Sequence, residues 1–318
     1  MRIATGAALL FAAATAFAQG FPTKAVTLMV PFAPGGGSDT VARTIQAKLS
    51  EKLGQPVLVE NRTGASGAIA TAAVAKSPPD GHTLFLSWDT HAINPVIMKD
   101  LPYDTFRDFA PVTLLARLPL VMGAWAGLPA NNLAEFIALA KRQPGKLNYA
   151  SVGSASSNRL YSEYMHSLAG IELAHIPYKG GGPSIQAMLT GEVAYSFLSF
   201  ASMRGHIQAG RLKAFAVTGS KRMADIPEVP TMIESGFPGF EVYGWIGIFA
   251  PAATPEAVIA RLNRDFIATV HDPEVVKKLA ASGVEPVGST PAELDRWVRS
   301  EYDKWSRFVK SSKLVFTE

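Results

Sequence analysis

Apolar runs of strand length alternate along the chain with segments whose apolar residues recur every three or four positions. Ala25 to Val30 is a mostly apolar run and predicts a strand. Ser38 to Leu53 places Val41, Ile45, Leu49 and Leu53 four apart, with Gly54 behind them, and predicts a helix ended by glycine. Pro56 to Glu60 reads as strand, Ala68 to Lys76 as helix, Pro78-Pro79-Asp80-Gly81 as turn and Thr83 to Ser87 as strand. This β-α-β-α-β order predicts a mostly parallel sheet with helices on both faces.

The same alternation returns further on. Asn132 with Glu135 three residues later predicts a capped helix to Arg142. Leu147 to Ser151, Leu173 to Ile176, Ala194 to Phe197 and part of Arg211 to Gly219 read as strands, with helices at Asn158 to Leu168 and Ser184 to Thr190. Helices then dominate: Pro255 to Val270, Pro273 to Ala281, and Pro291 to Val309 behind the Thr290 cap and Glu293. Two long apolar stretches, Pro111 to Ala124 and Phe240 to Pro251, bracket the middle section and are expected to be strands crossing between two lobes. Residues 21–120 plus 245–318 would form lobe one and 121–244 lobe two.

One local pattern occurs twice. After the strand ending at Val30 comes Pro31-Phe32-Ala33-Pro34-Gly35-Gly36-Gly37-Ser38-Asp39. After the strand ending at Ile176 comes Pro177-Tyr178-Lys179-Gly180-Gly181-Gly182-Pro183-Ser184. Each is proline, aromatic, a short spacer, three glycines and a helix start. A helix N-terminus has unpaired N–H groups and partial positive charge, and glycine lets a ligand approach the backbone. Such a unit suits an anion, and open α/β sheets bind ligands beyond the carboxyl ends of their strands. Phe32, Ala33, Pro34, Gly35, Gly36, Gly37, Ser38 and Asp39 are therefore candidate ligand residues on one lobe. Tyr178, Lys179, Gly180, Gly181, Gly182 and Pro183 are their counterparts on the other. Gly36 and Gly181, at the centre of each triplet, are the positions expected to need positive φ. Tight β-α turns are the plainer explanation for each loop taken singly. Neither loop fits the phosphate-binding patterns G-x-x-x-x-G-K-[ST] or G-x-G-x-x-G.

Other candidates stand at strand ends. Ser154 and Ser156 lie in a hydroxyl-rich loop that also reads as a plain helix cap. Trp88 would wall a cleft or fill core. Asp39 also reads as a first-turn acid that serves the helix dipole. Lys179 reads equally as a solvated side chain or as a partner for the ligand.

Composition narrows the classes. Lys and Arg number 30 against 26 acids, with no basic run, so nucleic acid is not expected. There is no cysteine, and stability must come from the core. Arg2, the apolar stretch Ala7 to Phe17 and Ala16-Phe17-Ala18 predict a secretory signal at residues 1–18, cleaved after Ala18. His82, His91, His166, His175, His206 and His271 do not fall at metal-ligand spacing, and there is no nucleophile elbow. No metal, cofactor or catalytic residue is expected, and the chain should act as a monomer.

The segments Phe21-Pro22-Thr23-Lys24 through Asp39, Glu60-Asn61-Arg62-Thr63-Gly64-Ala65-Ser66-Gly67, Pro79-Asp80-Gly81-His82-Thr83-Leu84, Asn94-Pro95, and Tyr178 to Pro183 followed by Gly191-Glu192-Val193 resemble the Bug-family receptors of tripartite tricarboxylate transporters. The resemblance covers essentially the whole mature chain. It implies a type II periplasmic-binding-protein fold, an α/β fold of two doubly wound lobes joined by crossing strands. It implies a small organic carboxylate held by backbone amides of the two glycine loops, and membrane subunits of a tripartite transporter as partners. The chain departs from the family pattern at Thr63, where proline is usual, and at the bulky Trp88. It departs again at Phe197-Leu198-Ser199, where an acid often follows the phenylalanine. Ser199 is a further candidate ligand residue, and without that acid a ligand ammonium group has no partner there. One anion seat per lobe favours a dicarboxylate, and an aromatic one is among the candidates. A sensory partner of a membrane signalling protein is an alternative function, and a periplasmic hydrolase is another.

Overall fold

Val26, Leu28 and Val30 pack to one side of the first strand and Met29 to the other, so both faces of this strand are buried. The computed structural model describes residues 20–312 together with 314 and 316. The expected signal and its cleavage after Ala18 lie outside the described residues. Strand β1 (Val26–Val30) pairs in parallel with β2 (Val57–Asn61) and β3 (Thr83–Leu86). Further along, β5 (Asn148–Ser151) pairs in parallel with β6 (Ala174–Pro177) and β7 (Tyr195–Ser199).

Between these parallel groups runs β4 (Phe109–Trp125), 17 residues long. It pairs antiparallel with β9 (Tyr243–Pro251) over Phe109 to Pro119, then with β7 and β8 (Leu212–Val217) over Leu120 to Trp125. A short strand, β10 (Glu285–Pro286), also pairs with β4. The strand order is β2-β1-β3-β9-β4-β7-β5-β6. The sheet is therefore mixed, where the alternation of elements predicted a mostly parallel one. Crossover helices explain the parallel groups, while β4 leads out of the first half and β9 leads back into it, so the two run antiparallel.

Helix α1 (Gly37–Leu53) buries Val41, Ile45, Leu49 and Leu53 against the first half of the sheet, and Gly54 ends it in the left-handed conformation. Helices α2 (Ala68–Ala75) and α3 (Thr90–Ile97) follow β2 and β3, with α2 packed on the opposite face from α1. In the second half, Asn132 caps α4 (Leu133–Arg142) by accepting from the Glu135 amide, as the spacing predicts. Helices α5 (Ser157–Ala169), α6 (Gly181–Thr190) and α7 (Phe200–Gln208) complete that half. Helices α8 (Glu256–Val270) and α9 (Pro273–Ala281) return to the first half, where Leu262, Phe266, Val275 and Leu279 join the core.

The last helix, α10 (Pro291–Ser311), opens on a complete Thr290–Glu293 capping box. Its Leu294 and Val298 pack in the first half, while Trp305 and Phe308 pack with Tyr161 and Phe240 of the second. It thus ties the two halves together alongside β4 and β9. Among the described residues, no helix is long and apolar enough to cross a membrane.

Candidate functional site

A cavity of about 570 Å³ opens between the two halves, at the carboxyl ends of the parallel strands. From the first half it is lined by Phe32 after β1, Ala65 and Ser66 after β2, and Trp88 and Thr90 after β3. From the second half it is lined by Val152 to Asn158, the loop after β5 and the start of α5. Four polypeptide segments converge because each parallel strand must hand over to a helix at this same edge.

The wall is polar but carries no formal charge. Ser66, Thr90, Ser154, Ser156, Ser157 and Asn158 supply hydroxyl and amide groups. Thr90 and Ser157 open α3 and α5, so the positive ends of two helices face the space. Trp88 and Phe32 supply the apolar part, meeting edge to face with ring centres 6.5 Å apart. The indole of Trp88 lies over two glycines. A Cβ on Gly37 would stand 3.3 Å from it and one on Gly244 3.0 Å, so neither position has room for a side chain while the ring stays where it is.

The first glycine loop is held from within. Asp39 is buried, and its carboxylate accepts from the Gly35 amide at 2.9 Å, from Arg43 Nε at 2.9 and 3.0 Å, and from Asn61 Nδ2 at 3.0 Å. Asn61 also donates to the Phe32 carbonyl. Burial alone would raise the Asp39 carboxyl, but the bonds from Arg43, Gly35 and Asn61 outweigh it and hold it below its ordinary value. Asp39 therefore satisfies a loop amide itself, in line with the helix-start reading. Positive φ falls on Gly35 (83°), while Gly36 has φ −75°. In the second loop it falls on Gly180 (103°), and Gly181 already belongs to α6. The strained position is thus the first glycine of each triplet and not the middle one, because the middle glycine already has the backbone of a helix start. Ala33, Pro34, Gly35, Gly36, Gly37, Ser38 and Asp39 stand beside Phe32 but are not among the lining residues.

Tyr178, Lys179, Gly180, Gly181, Gly182 and Pro183 are not among the residues that line the cavity. The Tyr178 hydroxyl donates to Glu192 at 2.7 Å, and Lys179 is exposed. Ser151 ties this loop to the cavity wall. Its carbonyl accepts from the Tyr178 amide and the Ser184 hydroxyl, and its own hydroxyl bonds the Gly153 carbonyl and His175 Nε2, each at 2.7 Å. Burial, with the nearby Arg159 charge, holds His175 down at about 4, so it is neutral at pH 7. Ser199 precedes α7 without a side-chain bond to the helix amides, its hydroxyl donates to that of Ser202, and it is not among the lining residues.

Ala65, Ser66, Thr90, Ser157 and Asn158 line the cavity without being singled out in the sequence. Ala65 and Ser66 have φ of 44° and 49°, a left-handed conformation that costs non-glycine residues energy and concentrates at functional sites. Two direct contacts cross between the halves here. Ser66 Oγ donates to the Ala155 carbonyl at 3.2 Å, and the Tyr161 hydroxyl donates to Asp89 Oδ2 at 2.6 Å. Among the described residues no group of three or more His, Asp or Glu side chains is arranged to hold a metal ion.

The chain is similar to known relatives and to solved structures over nearly its whole length. A protein encoded in the tcbD-tcbE intergenic region of a Pseudomonas species is 37% identical over 98% of this chain and 94% of its own. Protein BugT of Bordetella pertussis is 35% identical over 94% of this chain and 93% of its own. The periplasmic binding protein BugD superposes with a TM-score of 0.81 at 32% identity, covering 92% of this chain and 98% of BugD. Rpa4515 of R. palustris, solved with adipate, gives 0.84 at 34% identity over 91% of this chain and 97% of its own. MatC of Rhodopseudomonas palustris, solved with malate, gives 0.81 at 35% identity over 91% of this chain and all of its own. The fold is thus the α/β periplasmic-binding-protein fold that the sequence led us to expect. The family model for the tripartite tricarboxylate transporter family receptor, TctC, matches residues 41–314, and the chain belongs to that family.

Proposed function

We propose that this chain is a periplasmic receptor that captures a small organic dicarboxylate between its two halves, leaves it chemically unchanged, and delivers it to the membrane subunits of a tripartite transporter. The cavity carries this reading. Hydroxyls and helix starts can bond carboxylate oxygens from both halves, while Trp88 and Phe32 give the spacer between two carboxylates an apolar wall. That the relatives named above were solved with adipate and with malate supports a diacid. An aromatic spacer also suits the two rings. In this reading the lobes meet near residues 120 and 245 and close by bending where β4 changes partner from β9 to β7.

Calorimetry on matched acids tests the proposal: butyrate against succinate, benzoate against terephthalate, and glutamate as the amino-acid control. A second carboxylate adds charge-assisted hydrogen bonds worth about 1.5–3 kcal/mol each, so each diacid should bind at least about tenfold more tightly than its monoacid. Equal affinity for monoacids would contradict the bridging of the two halves by one ligand, while glutamate, itself a diacid, tests the missing ammonium partner and should bind more weakly than succinate.

A further inference from the structure

Asp89 stands between the cavity and the interior. It follows β3, its neighbours Trp88 and Thr90 both line the cavity, and its own side chain is buried at 1% exposure. Oδ2 accepts from Tyr161 of α5, across the two halves. The same Tyr161 hydroxyl lies 3.3 Å from the Tyr243 carbonyl of β9, where that strand begins. Oδ1 is buried with no well-aligned partner, although Ser157 of the cavity wall and the Thr90 amide stand close by. No Lys, Arg or His among the described residues forms an ion pair with it.

The charged and titratable groups around Asp89 do not supply a counter-charge. Helix α10 presents Glu301, another buried acid, whose own partners are Lys304 and the Trp305 indole. Helix α5 presents Tyr161, whose hydroxyl is raised well above its ordinary value by burial and by Asp89 and so keeps its proton. On α3 itself, His91 is packed among Phe85, Tyr103, Phe109 and Phe249, and burial pushes it down to about 3, so it is neutral. A buried carboxylate without a cation is costly, and an anion brought into the adjoining cavity makes it costlier.

We propose that Asp89 makes ligand capture proton-linked: as a carboxylate enters the cavity, the Asp89 carboxyl takes one proton from solvent and keeps it while the ligand is held. The inference rests on the carboxylate reading of the cavity. Burial, helped by Glu301 and opposed by the Tyr161 and Ser157 bonds, holds the free carboxyl up at about 7. The group is therefore poised to change state near neutral pH. The neutral form removes a repelling charge beside the ligand and keeps the Tyr161 bond between the halves. Affinity then falls as the pH rises through the range where free Asp89 loses its proton.

The test is calorimetric titration with adipate across pH, each point in two buffers of different ionisation enthalpy. If the bound anion raises the Asp89 carboxyl by about one pH unit, affinity falls about tenfold from about pH 6 to about pH 8.5, with net proton uptake near neutrality. Asp89→Asn mimics the protonated side chain and also reports the ionisation of adipate itself. It should bind throughout as tightly as the wild type does at the acid end, with no proton uptake beyond that of adipate. The ligand-free wild type should show an infrared band for a protonated carboxyl that titrates near pH 7 and is missing from Asp89→Asn. Wild-type binding with no proton uptake overturns the inference alone, as does a pH dependence that Asp89→Asn retains. Failure of adipate and malate to bind at any pH overturns the carboxylate reading and this inference with it.

Discussion

Asp39→Ala is expected to destabilise the protein by about 2–4 kcal/mol and to abolish carboxylate binding. The loss leaves the Gly35 amide without its partner, frees one bond from Asn61 and opens a gap at a site only 3% exposed. A hydrogen bond to a charged group contributes about 1.5–3 kcal/mol, and water replaces part of that at the exposed Gly35. The ion pair with Arg43 adds little, because that guanidinium is half exposed. Binding suffers because Asn61 and Asp39 together hold the loop that carries Phe32 into the cavity. The effect depends on pH with a definite sign. The folded carboxyl lies below the ordinary Asp value of 3.8, so its stabilisation is present above that value and lost as the pH falls through the lower folded one. Chemical denaturation of wild type and Asp39→Asn down the acid limb should therefore converge. Curves that stay parallel would show that the carboxylate is not what holds this loop.

Trp88→Ala is expected to weaken binding of short diacids such as malate by about tenfold or more, while longer ones lose less. The indole is a wall of the cavity and fills the space over Gly37 and Gly244. Without it the cavity widens beside the start of α1, and a short ligand loses apolar contact that a longer one can recover. Gly244→Val acts on the same ring from behind. Its Cβ would stand 3.0 Å from the indole, and the added methyls drive the ring into the cavity, so affinity for long diacids should fall first. Calorimetry with malate and adipate on both variants separates the two directions. An unchanged ratio of affinities would remove Trp88 as the gauge of ligand length.

What could be read in the sequence was what local chemistry decides. Asn132, and Thr290 with Glu293, sit at helix starts, because each capping side chain accepts a specific backbone N–H. The glycine loops were legible as strand-to-helix turns for the same reason. Helix α3 was missed because it is short and has Pro95 inside it. Helix α7 was missed because it begins at Phe200 directly after β7, with no linker to mark the change. The direction of β4 and β9 is set by how distant strands meet, which no local pattern carries. The same limit applies to the cavity wall. Ser66, Thr90 and Asn158 are unremarkable singly and gain meaning only when β2, β3 and β5 end side by side. The rule that flagged the glycine loops, looking just past the carboxyl ends of parallel strands, would have found them too.

The central claim is that a small carboxylate sits in the cavity between the halves, and calorimetric titration of adipate into wild type and Ser154→Trp tests it most directly. Ser154 lines the cavity, and its carbonyl bond from Arg159 does not depend on the side chain, so an indole there fills the space without undoing the loop. The account predicts saturable binding by the wild type and none by Ser154→Trp, with the two unfolding at the same temperature. Equal adipate affinity in both proteins, or no binding by the wild type, would contradict it.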